Sequence, residues 1–191
     1  MAWVAGTSPS AGSHLQSKTL IDLLGVHYTT LGAVPDLTST TTIKAALYDN
    51  SVTPDAAATS ASAGYAGTGS PWLSTGGTTG TAQVFQSGAV ATDWIQGGRL
   101  IGAGTTLTAA SNSTGSLITW APSISMANTN VATLSNIYGM FLYFTNSDAS
   151  SSGIANTGLG FWFFGGSAPY GVTAGTLTIT SSASGLFTLQ V

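Results

Sequence analysis

Along most of the chain, apolar and polar residues alternate in short runs separated by clusters of Gly, Ser, Thr and Asn. Over residues 42–49, Ile43, Ala45 and Leu47 fall on one side of a period of two, and Lys44, Ala46 and Tyr48 on the other. Side chains that alternate in this way mark a strand. The closing stretch does the same, with Phe187, Leu189 and Val191 set against Leu186, Thr188 and Gln190. Further strands are expected near 82–86, 98–101, 105–109, 116–121, 137–145, 159–164 and 175–180. Residues 50–55, with Asn50, Ser51, Pro54 and Asp55, carry turn chemistry. Residues 56–80 are almost wholly Ala, Ser, Gly and Thr, broken by Tyr65 and by Pro71, Trp72 and Leu73. That stretch is too long for a tight connection and predicts a surface excursion pinned by its aromatics. With no fixed-period repeat, the pattern predicts a mainly β protein, an antiparallel β-sandwich of jelly-roll-like form.

One segment has a different period. Ser13 and Gln16 are spaced for a capping box, in which each side chain satisfies a backbone amide at a helix start. Leu20, Leu23 and Leu24 follow as an apolar stripe, and Gly25 is a natural stop. The spacing predicts a short N-terminal helix over about 14–24. Residues 1–12, rich in Gly, Ser and Pro, are expected to be an extended arm, leaving 13–191 as a single β-sandwich domain. The start of the chain, Met1 to Gly6, has no basic segment, so no secretory leader is expected.

Charge changes the picture most. Three basic and six acidic residues make up 5% of the 191 residues, where an ordinary soluble domain would carry on the order of 48 charges. All six acids are aspartates. With 43% of residues hydrophobic, the chain is not of the disordered type, which is polar and highly charged. Three cations cannot neutralise a phosphate backbone, which argues against nucleic-acid binding. They also supply no basic patch for anionic lipid. The longest apolar runs, 137–144 and 159–164, are strand length, so no membrane partner is expected. The absence of cysteine excludes a disulfide scaffold and zinc-thiolate sites. A surface of Ser, Thr, Gly, Ala and Asn fits either a secreted β-protein with a neutral, hydroxyl-rich skin or a chain buried in an assembly, since interface cores are depleted in charge.

A search for reaction chemistry yields little. Only His14 and His27 could serve as a base beside a hydroxyl nucleophile, and no Gly-x-Ser-x-Gly elbow occurs. Metal ligation has only the weak pairing of Asp22 with His27. Asp36, Asp49, Asp55 and Asp148 keep the company of turn formers, which hydrogen-bond their own backbone. Asp22 falls on the expected helix. Asp93, before Trp94, is the one aspartate in an aromatic setting. The Gly-x-Gly pairs at 67–69 and 102–104 lack the third glycine and following helix of a dinucleotide loop. No enzymatic activity, cofactor or metal is expected. The remaining handle is aromatic: Trp120 and Trp162 fall in expected strands, whereas Trp3 and Trp72 fall in the arm and the excursion, where a large ring must find cover.

Several segments occur in a familiar order. They are Ile43-Lys44-Ala45-Ala46-Leu47-Tyr48, Thr53-Pro54-Asp55, Asn136-Ile137-Tyr138-Gly139-Met140-Phe141-Leu142-Tyr143, Phe164-Gly165-Gly166, Gly175-Thr176-Leu177-Thr178-Ile179 and Gly185-Leu186-Phe187-Thr188-Leu189. In this order the chain resembles a family of small structural proteins from tailed phages of actinobacteria, across most of 14–191. It departs from the pattern over 56–80, which is poorer in charge and richer in Ala and Gly. The resemblance implies a virion component: a head decoration (capsid auxiliary) protein, or a minor tail or fibre protein. The partners implied are the major capsid protein, other copies of this chain, or both, in a homo-oligomer or shell-bound state. The interface residues expected are Trp3 and Val4 of the arm and Trp72 and Leu73 of the excursion. The competing expectation is a carbohydrate- or receptor-binding module on a tail or a cell surface.

Overall fold

A computed structural model describes residues 14–15, 43–51, 83–85, 94–101, 106–112, 115–121, 123–127, 133–145, 157–165, 168–173, 175–180 and 187–190. These residues are β-rich, with every strand pairing antiparallel and no helix among them. The strands are β1 (His14–Leu15), β2 (Ile43–Tyr48), β3 (Gln83–Val84), β4 (Arg99–Leu100), β5 (Thr106–Asn112), β6 (Gly115–Ala121) and β7 (Ser123–Ala127). They continue with β8 (Thr133–Ile137), β9 (Gly139–Phe144), β10 (Thr157–Phe163), β11 (Tyr170–Thr173), β12 (Thr176–Thr180) and β13 (Phe187–Gln190).

The largest sheet runs β1-β10-β9-β2-β3, and β4 pairs with β2 as well. With β9 on one side of β2, its other edge is shared. β3 meets Leu47 and Tyr48, and β4 meets Lys44 and Ala45. A hydrogen bond from the Ile101 amide to the Ile43 carbonyl at 3.0 Å extends the second pairing. Three smaller sheets are β8 with β11, β7 with β12, and β5-β6-β13.

The central strands are apolar on both faces. Ile43, Ala45 and Leu47 of β2 lie with Met140, Leu142 and Phe144 of β9 in one buried cluster, joined by Trp94, Ile101 and Leu159. Leu134 and Ile137 of β8 and Ile179 of β12 belong to that same cluster, so two of the small sheets contribute to the core. The opposite face holds Ala46, Tyr48, Tyr138, Phe141, Tyr143, Phe161 and Phe163, also buried. Phe141 and Tyr143 stack there with ring centroids 6.2 Å apart. Across the strands Phe141 pairs with Phe161 on one side and with the small Ala46 on the other. Each large apolar side chain taken fully out of water contributes roughly 1.5–3 kcal/mol. The buried residues from Met140 to Phe144 therefore supply on the order of 10 kcal/mol before chain entropy is subtracted.

Two positions tolerate nothing larger than glycine. A Cβ on Gly139 would overlap the Trp162 carbonyl and the Tyr48 hydroxyl, which crosses the strand at that point. At Gly98, with φ of 68°, a Cβ would overlap the Ala45 carbonyl. Close approach of backbone to backbone here lets β4 reach β2.

The expected helix over 14–24 is corrected at its start. His14 and Leu15 pair with Phe161 and Gly160 as an edge strand on β10. A capping box stabilises a helix by about a kcal/mol, and ladder bonds to a sheet compete with it directly. Residues 16–24 lie outside the described residues, as does the expected arm over 1–12.

Candidate interaction surface

Of the residues expected at an interface, Trp3, Val4, Trp72 and Leu73 all lie outside the described residues. So do His27, Asp22, Asp36, Asp55, Asp93 and Asp148. Asp49 behaves as a turn former, its Oδ1 accepting the Ser51 amide at 2.7 Å. Among the described residues no group of three or more His, Cys, Asp or Glu could hold a metal ion. No helix among them is long and apolar enough to cross a membrane.

Polar groups inside the fold are occupied with holding it. Gln83 is buried and bridges a turn. Its Nε2 donates to the Ile95 carbonyl at 3.5 Å, and its Oε1 accepts the Gly97 amide at 3.4 Å. Within that turn the Gly98 amide donates to the Ile95 carbonyl at 3.0 Å, and Gly97 takes φ of 91°. The Tyr143 hydroxyl donates to the Gly97 carbonyl from the aromatic face of the sheet. Tyr48 reaches the Trp162 carbonyl at 3.5 Å, and burial pushes its phenol pKa well above the ordinary value. Trp94 is fully buried, and its Nε1 has no hydrogen-bond partner among the described residues. Such an orphan donor costs about 1–3 kcal/mol, which burial of so large a ring outweighs.

A surface feature forms where β10 ends and β11 begins. Trp162 and Phe164 are half-buried against the first core cluster, and their rings meet edge to face at 5.9 Å. The Tyr170 ring meets Phe164 in turn at 6.3 Å and 67°. Its hydroxyl donates to the Phe164 carbonyl at 3.2 Å, so the ring is pinned at its far end. Tyr170 is nonetheless 38% exposed. Between these residues the chain turns through Gly165, φ 98°, and the Ala168 amide donates to the Gly165 carbonyl at 3.1 Å. Pro169 beside Tyr170 is also exposed.

Sequence reasoning placed Trp162 and Phe164 in the strand expected near 159–164 but did not single out Tyr170. A Tyr beside a Pro in a Gly- and Ala-rich stretch was the available signal, since an aromatic in such company must find cover or stay exposed. No family model, curated protein or solved structure matches the chain.

Proposed function

We infer that this chain is a non-enzymatic structural protein of a phage virion. In this reading it is a capsid decoration protein that bridges neighbouring subunits of the head. Its partners are the major capsid protein, other copies of itself, or both, and its fold is a single jelly-roll-like β-sandwich. The observation that carries the reading is the depletion of charge. Residues 100–147 and 149–191 contain no Asp, Glu, Lys or Arg at all, in a chain whose described parts are antiparallel sheet. Contact surfaces that leave solvent gain from lacking charges that would otherwise need desolvation. The packing of Leu134, Ile137 and Ile179 onto the central sheet supports the sandwich. A protein that binds only the assembled shell stabilises that shell by mass action, without any reaction chemistry.

The test is a reconstruction of particles bearing the chain. Density for it should cover the joints between capsid subunits in many copies, and stripping it should lower the temperature at which heads rupture. Density confined to the tail, or no association with particles, refutes the head assignment.

The Trp162, Phe164 and Tyr170 group favours a second reading, a carbohydrate- or receptor-binding module, because exposed aromatic rings stack on sugar faces. Glycan binding that Tyr170→Ala abolishes would support it over the first.

A further inference from the structure

We draw no further inference here: the strongest candidate, the aromatic surface patch of Trp162, Phe164 and Tyr170 where β10 ends and β11 begins, belongs to the second reading already given, and nothing in the structure shows what covers it.

Discussion

Gly98 and Gly165 both take positive φ, 68° and 98°, but their surroundings differ in a way that separates strain from collision. A Cβ at Gly165 would have open space around it, whereas one at Gly98 would overlap the Ala45 carbonyl and lie 2.9 Å from the Ala46 Cα. Gly165→Ala should therefore cost only conformational strain, about 1–2 kcal/mol. Gly98→Ala adds displacement of β2 from β4 and should cost more than about 3 kcal/mol. Urea midpoints of the two variants would measure the difference, and equal losses would show that the β2 contact yields. Tyr48 gives a residue-scale prediction in pH. Its folded pKa is raised above 10.0 by burial, so an unfolded chain releases this proton first as pH rises. Stability from Tyr48 is fully present below pH 10.0 and falls above it by up to about 1.4 kcal/mol per pH unit. Tyr48→Phe should reduce that alkaline slope by the same amount, as read from unfolding free energies on either side of this pH. An unchanged slope would mean that another group sets it.

At the scale of elements, β8 shows how one residue re-aims a strand. Leu134 and Ile137 are both buried although three positions apart, and Ser135 and Asn136 between them are exposed. The pairing with β11 shifts register there, Ile137 facing Tyr170 and Leu134 facing Val172. Asn136 absorbs the extra residue at φ 62°, a conformation Asn adopts more readily than other side chains. Asn136→Gly should be close to neutral and Asn136→Val should cost about 1–2 kcal/mol, measured by thermal unfolding. A harmless Val would show that the bulge does not need the left-handed region. The same bulge explains why β8 was not legible as a separate strand, since its apolar spacing of three matches no period of two. β11 was hidden for another reason, being four residues long with an internal glycine after a proline. β7 alternates Ile124 with Met126, but it follows Pro122, which reads as a strand end. β2 was legible because its alternation persists over six residues. β9 was legible as the continuous apolar run of a strand buried on both faces. The capping-box spacing of Ser13 and Gln16 predicted a helix start at His14, where the edge of β10 instead pairs with His14 and Leu15. For Tyr170 the neighbouring proline was a signal that the ring must find cover or stay exposed, but which of the two depends on where β10 delivers Phe164.

For the molecule as a whole, the scarcity of charge determines what kind of association is open to it. Nine charges, three basic and six acidic, leave long-range attraction weak, so encounter is not steered and contact must come from apolar burial, backbone pairing and neutral hydrogen bonds. These forces respond to salt differently from ion pairs. Between about 0.01 M and about 1 M salt the Debye length falls from about 30 Å to about 3 Å, enough to abolish steering by exposed charges. Sulfate, by contrast, strengthens apolar burial because it is excluded from protein surfaces. Association of the full-length chain, with itself or with its particle, should change by less than about tenfold over that range of sodium chloride. It should tighten when sulfate replaces chloride. Titrations in the two salts, followed by sedimentation or by occupancy on purified particles, measure this directly. A steep linear fall in log affinity with log salt would mean that Lys18, Lys44, Arg99 or the aspartates carry the contact, and the argument from charge depletion would then fail.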